Sequence, residues 1–124
     1  MSDLSIVNED GVLKVTITCP DRLNSVTSQM LNQMADALEA ADGVRVAVFG
    51  GEGRAVCSGA VMVPGAVDDQ ILAAIERVIS AITKAPFPVV AAVNGLAAGL
   101  GSSLALACDL QVTKASGYFL QAFI

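Results

Sequence analysis

The chain contains no histidine and no tryptophan, only one tyrosine and four phenylalanines, and three cysteines. Without histidine a Ser-His-Asp triad cannot be assembled within it, and the side chain that most often ligates zinc, copper or iron is missing. Cys19, Cys57 and Cys108 form an odd set with none of the short spacings of a metal site, so no metal is expected and the thiols read as reduced. Positive charge is also scarce. Seven Lys and Arg against twelve Asp and Glu give a net charge of -5, and the basic residues are scattered, which excludes a general nucleic-acid surface. No charged amino-terminal segment leads into an apolar run, so no signal peptide is expected and a cytoplasmic location follows. The uncharged run from Pro86 to Cys108 is long enough to cross a bilayer. Its glycines, prolines, Asn94 and paired serines predict a buried strand, turn and helix instead, with no membrane partner.

What is present is small and aliphatic. Hydrophobic residues make up 54% of the 124 positions, and with so few aromatics the core must be built from Val, Ile, Leu, Ala and Met. Residues 1–124 read as one domain, with no linker, low-complexity tract or internal repeat. The composition fits either an Ala/Val-rich globule or a chain with surface covered by another segment or subunit.

Leu4 to Val7 and Val12 to Thr18 alternate around Asp10-Gly11, the pattern of a hairpin, with Val12, Val15 and Ile17 expected near the core. The stretch CPDRLNSV reads as a loop. Thr27 or Ser28 caps a helix expected to run to about Asp42, with Met30, Met34, Leu38 and Ala41 on its apolar face. Val44 to Phe49 follows as a strand after Gly43, so the helix is a crossover between parallel strands. Gly50 to Ala60, GGEGRAVCSGA, reads as a glycine-rich loop, and Val61 to Val67 fits no single element. Asp68 is expected to cap a helix with a stripe of Ile71, Leu72, Ile75, Val78, Ile79 and Ile82, ended before Pro86. Val89 to Val93 leads into a second glycine-rich turn, where Gly99 and Gly101 open a helix of small residues. Leu110 to Thr113 and Tyr118 to Leu120 close the chain as strands. A strand that runs into a helix N-terminus leaves backbone N–H groups unpaired, and an anion or a carbonyl oxygen gaining negative charge fits there.

The long pattern VVAAVNGLAAGLGSSLALACDL resembles the signature of the crotonase, or enoyl-CoA hydratase/isomerase, superfamily, and PDRLNSV, GRAVCSGA and SGYFLQAFI resemble segments before and after it. The resemblance covers nearly the whole chain. It implies an α/β fold, a spiral of repeated β-β-α units, here without the family's C-terminal helical part. It also implies an acyl-CoA thioester as substrate with no further cofactor, and a homo-oligomer, a trimer or dimer of trimers at full length. A chain of this length is expected to be a piece of a longer protein.

Carried over position by position, the resemblance places the two backbone N–H donors for the thioester oxygen at Ser58 and Leu100. Gly59, Gly99 and Gly101 shape their loops. Arg22, Leu23 and Asn24 match the loop around the adenine and pantetheine of coenzyme A, and Ala60 and Val61 flank the thioester and adenine. The family commonly has Asp where Val61 stands. The two glutamates that hydratases use fall on Ser103 and Phe123, neither of which is a general acid or base at neutral pH. Two-glutamate hydration is therefore not expected. Enolate stabilisation by the two amides is one reading, and a non-catalytic acyl-CoA-binding or scaffold subunit is the other. A dinucleotide fingerprint fails at GLGSSL, which has Leu104 where the third glycine belongs.

Overall fold

A computed structural model describes residues 3–61 and 68–121. The hairpin forms as the sequence predicts: β1 (Leu4–Glu9) pairs antiparallel with β2 (Val12–Ile17), Leu4 opposite Ile17 and Glu9 opposite Val12. Asp10 and Gly11 both have positive φ, 53° and 80°, the backbone of a two-residue turn whose twist matches its strands. Leu13, Val15 and Ile17 are the buried set. Val12 is of the opposite parity and only half-buried, so its expected place in the core is corrected by the pleat itself.

The expected loop after β2 contains one 3-10 turn, Pro20–Arg22. Helix α1 (Ser28–Glu39) starts at Thr27, whose Oγ1 accepts a hydrogen bond from the Met30 N–H at 3.2 Å. Its Met30, Leu31, Met34, Ala35 and Leu38 are buried, each large side chain contributing about 1.5–3 kcal/mol. The helix ends three residues short of Asp42, because the chain must turn at Gly43 (φ 67°) to bring the Arg45 and Val46 N–H groups to the Gly11 carbonyl. Strand β3 (Val46–Gly51) then pairs parallel with β2, from Val12 opposite Val46 to Ile17 opposite Gly51.

The stretch Gly50–Ala60 is not all loop. It contains β4 (Ala55–Cys57), a strand whose three residues are fully buried. Most of the ambiguous stretch that follows, 62–67, lies outside the described residues. Helix α2 (Ile71–Lys84) begins three residues beyond Asp68, which holds the approach to the helix instead: its Oδ1 accepts from the Gln70 N–H and its Oδ2 from the Ser28 N–H. The buried row is Ala74, Val78 and Ile82, whereas Leu72 is 77% exposed, because it lies about 100° round the helix from Ile71. Arg77 joins α2 to α1 through Asp36 and Glu39.

The central stretch carries two strands, not one. After β5 (Val89–Val93) comes β6 (Leu96–Ala98), then α3 (Leu100–Ala107), β7 (Leu110–Thr113) and β8 (Tyr118–Leu120). The strands form two sheets, one in the order β1-β2-β3-β5-β7 and one in the order β4-β6-β8, and all pairs except β1 with β2 are parallel. Each turn thus sends one strand to the large sheet, one to the small sheet and a helix back across. This is the β-β-α spiral that the resemblance implies. In the first turn a single bridge, Val26 to Ala60, stands where later turns have a short strand.

The face of the large sheet that carries Val15, Ile17, Ala47, Phe49, Val89, Ala91 and Val93 packs against the buried sides of the helices. At the far edge every residue of β7 is exposed.

Candidate functional site

Two backbone bends lie where β4 and β6 of the small sheet end. At the first, the Ser58 N–H donates to the Leu23 carbonyl at 3.0 Å, Gly59 takes φ 123°, and the Gly59 carbonyl accepts from the Val26 N–H at 2.9 Å. The Val61 N–H then donates to the Val26 carbonyl at 2.8 Å. In a parallel bridge one residue takes both hydrogen bonds and its opposite number turns its own N–H and C=O the other way. Here Val26 takes both, so the Ala60 N–H faces away from it, on the side where β6 runs into α3. Among the described residues neither Gly59 nor Ala60 has an acceptor for its N–H.

At the second bend Gly99 sits at φ 52° and ψ -119°, its N–H bonded to Leu120 of β8 at 2.9 Å. No side chain caps α3. Among the described residues the N–H groups of Leu100, Gly101 and Ser102 have no acceptor, and the first to find one is Ser103, which donates to the Gly99 carbonyl. Three open amides at a helix N-terminus carry partial positive charge.

The bends touch. Cys57 pairs with Ala97 across the small sheet, and a Cβ built on Gly101 would collide with the Cys57 carbonyl. One built on Gly59 would lie 3.7 Å from the Ala98 carbonyl. Leu100, Ala60 and Val61 are half-buried, accessible to a ligand yet shielded enough that an amide there is worth more than in water.

The expected donor at Ser58 is corrected by this geometry. Its N–H is still in step with the 23–26 segment and is taken by Leu23. The positive φ of Gly59 reverses the chain, and of the amides left open the one turned away from Val26 comes after the glycine, at Ala60. Leu100 stands in the same relation to Gly99. The shared Gly-X order of the two bends was the available signal in the sequence.

The other expected residues divide. Arg22 is partly exposed and pairs with Asp3 at 3.2 Å, in a cleft that also holds Asp21 and Glu52, so three carboxylates compete with any phosphate there. Leu23 contributes its carbonyl to Ser58. Asn24 is fully buried, its carboxamide spent on Cys19, Glu52 and Ala55, and its side chain does not reach a ligand. Val61 is held by Val26 and leaves no carboxylate where the family commonly has Asp. Ser103 is exposed, its hydroxyl donating to the Gly99 carbonyl at 3.4 Å, and Phe123 lies outside the described residues. Ser102, beside Ser103, is buried and accepts from Gln121 Nε2 at 2.6 Å.

Burial pushes the Cys57 thiol up to about 11 and that of Cys108 to about 12, and raises Cys19 as well. None is a nucleophile near neutrality. Among the described residues no three His, Cys, Asp or Glu side chains gather round a common metal position, and no helix is long and apolar enough to cross a membrane. The residues of the two bends therefore offer backbone donors and no group that exchanges a proton at neutral pH.

Residues 7–124 match the family described as enoyl-CoA hydratase/isomerase. A probable enoyl-CoA hydratase of Rhodobacter capsulatus is 38% identical over 92% of this chain and 47% of its own length. The 1,2-epoxyphenylacetyl-CoA isomerase of Escherichia coli is 35% identical over 93% of the chain and 48% of its own length. Among solved structures, an enoyl-CoA hydratase from Mycobacterium avium subsp. paratuberculosis superposes with a TM-score of 0.90 at 42% identity, covering 98% of this chain and 48% of that one. A putative enoyl-CoA hydratase from Thermobifida fusca, in complex with acetoacetyl-CoA, gives a TM-score of 0.85 at 27% identity, covering 94% of this chain and 52% of that one. The chain spans about half the length of the relatives it matches. With the β-β-α spiral and the two glycine bends, these likenesses place the chain in the enoyl-CoA hydratase/isomerase family, the crotonase superfamily.

Proposed function

We propose that this chain binds an acyl-CoA thioester and holds its carbonyl oxygen between the N–H groups of Ala60 and Leu100. The observation that carries the proposal is the pair of open amides, each one residue past a positive-φ glycine, at the ends of adjacent parallel strands. As a thioester loses an α-proton, or is attacked at its β-carbon, negative charge moves onto that oxygen. Donors fixed in advance stabilise it by about 3–4 kcal/mol each. Binding of acetoacetyl-CoA by the Thermobifida fusca relative supports the ligand class. The 1,2-epoxyphenylacetyl-CoA isomerase is a relative whose named reaction is an isomerisation of a CoA ester.

Among the described residues no general acid or base stands at either bend. Ser103 stands at the position of one family glutamate and does not supply a base, and Phe123, at the other, has no proton to move. Enolate stabilisation is thus the contribution of these residues, and any proton transfer belongs to groups elsewhere in the assembled protein. A homo-oligomer in the cytoplasm suits this reading. The second reading, a binding or scaffold subunit without turnover, is favoured by the same missing carboxylates.

The test is direct. In the full-length protein Leu100→Pro deletes one donor at the first position of a helix, where proline is tolerated. With 2-enoyl-CoA and 3-enoyl-CoA as substrates, hydration or double-bond migration is expected to fall by about 100-fold while the fold stays intact. Binding without turnover in the wild type supports the scaffold reading, and full turnover in the proline variant overturns the amide assignment.

A further inference from the structure

We infer that Asn24 is the positioning residue of the Ala60 amide, a role that rests on the acyl-thioester reading of the two bends. Asn24 and Ser102 are the two buried polar residues of the described chain, both 0% exposed. Asn24 has φ 57° and follows Leu23 at φ 54°, so two consecutive non-glycine residues occupy the left-handed region that L-residues disfavour. Such a conformation persists only when its surroundings hold it.

The Leu23 N–H donates to the Pro20 carbonyl and the Asn24 N–H to the Cys19 carbonyl within the turn, and one side chain ties that turn to the strands. Asn24 Oδ1 accepts from the Cys19 N–H at 2.9 Å, while Nδ2 donates to the Glu52 carbonyl at 2.8 Å and the Ala55 carbonyl at 2.7 Å. A single carboxamide thus ties the exit of β2, the β3–β4 connection and the first residue of β4 together. Gly51 leaves room for it, since a Cβ there would lie 2.7 Å from Nδ2. The segment fixed in this way makes three backbone hydrogen bonds to the first bend: the Leu23 carbonyl accepts from the Ser58 N–H, the Val26 N–H donates to the Gly59 carbonyl, and the Val26 carbonyl accepts from the Val61 N–H. These bonds turn the Ala60 N–H outward. The orientation of that amide is therefore set from more than thirty residues upstream, whereas the Leu100 amide is set by its own helix.

The chemistry requires Asn. Two N–H donors and one acceptor must come from a short side chain that tolerates positive φ. Ionised Asp has no donor and sets a negative charge against two carbonyls. Protonated Asp restores one of the two donations.

The experiment uses full-length protein and an acyl-CoA labelled with 13C at the thioester carbonyl, with the carbonyl stretch read by difference infrared spectroscopy. In wild type the bound carbonyl is expected at lower frequency than in free ligand. In Asn24→Asp at neutral pH part of that displacement is lost, kcat falls by about tenfold and KM stays within about twofold. Acidification moves the carbonyl frequency back towards the wild-type value. Asn24→Gly accepts the positive φ without strain and is the second variant should the Asp form not fold. It is expected to lose the same part of the displacement at every pH. Folded variants that keep the full wild-type displacement overturn the role of Asn24 alone. A wild-type protein whose bound carbonyl does not shift overturns the acyl-thioester reading, and the inference with it.

Discussion

Gly59 and Gly99 both adopt positive φ, 123° and 52°, both end a short strand of the small sheet, and each precedes a residue with an unclaimed N–H. The means of support differ. The bend at Gly99 is local: a helix begins one residue later, and the orphan amides of its first turn come with the helix. The bend at Gly59 opens no helix over residues 59–61 and is braced from the side by the 23–26 segment, itself braced by Asn24. One fold leaves an open amide after a positive-φ glycine by a local route and by a distant one, and the distant route puts a buried polar side chain where an apolar core would otherwise be. That bend should therefore respond to changes far from it in sequence, and the other to changes in its own turn.

The largest expected effect comes from separating the bends. Gly101 of α3 lies so close to the Cys57 backbone that a Cβ would overlap its carbonyl and come within 2.8 Å of its Cβ. Backbone cannot yield as a flexible side chain would. Gly101→Val is expected to lower stability by about 3 kcal/mol or more, read as a drop in the urea midpoint at unchanged slope. A variant as stable as wild type would mean that the bends are not in contact.

A smaller effect distinguishes the two sides by pH. Cys57 ends β4 under the first bend, and Cys108 closes α3 beyond the second; burial raises their thiols from 9.0 to about 11 and about 12. The fold keeps each thiol protonated where the unfolded chain releases the proton. The stability this provides is complete below pH 9.0 and declines as pH rises through about 11 for Cys57 and about 12 for Cys108. The loss from Cys57 alone is about 2 kcal/mol. Unfolding followed from pH 8 to pH 12 should show it: both losses begin near pH 9.0, so Cys57→Ala should make the decline shallower up to about pH 11 and leave the part between about 11 and about 12 that Cys108 carries.

How much of this could be read in the sequence depended on the length of each signal. Asp10-Gly11 between alternating strands, Thr27 before an apolar-periodic stretch, and the crossover to β3 all rest on several residues that agree. Strands β4 and β6 have three residues each, too few to show alternation, so AVC and LAA merged into glycine-rich loops. Asn24 sits in PDRLNSV, where polar residues signal solvent; its burial depends on carbonyls of Glu52 and Ala55 that no local pattern places there. The sequence points to the Ser58 amide, which the fold pairs with Leu23, and not to the unpaired amide of Ala60, because the sign of φ at Gly59 is a tertiary outcome, set by the bridge to Val26. The family resemblance located both loops, and only the hydrogen bonds show which amides in each are taken and which are open.

The smallest expected effect is at Ser103, and it sharpens the comparison from the side of the local bend. Its hydroxyl is exposed and reaches the Gly99 carbonyl only at 3.4 Å, a long hydrogen bond within one helical turn. Removing it costs little, and alanine returns a few tenths of a kcal/mol in helix propensity. Ser103→Ala should therefore leave stability within about 0.5 kcal/mol of wild type and acyl-CoA affinity unchanged, because the Leu100 amide is fixed by the helix backbone. In the full-length protein, turnover, if present, should also be unchanged, since no step assigned to this bend moves a proton through the serine. A tenfold fall in kcat with intact binding and stability would make Ser103 a participant in proton transfer, and the second bend would then act through a side chain as well as through its amides.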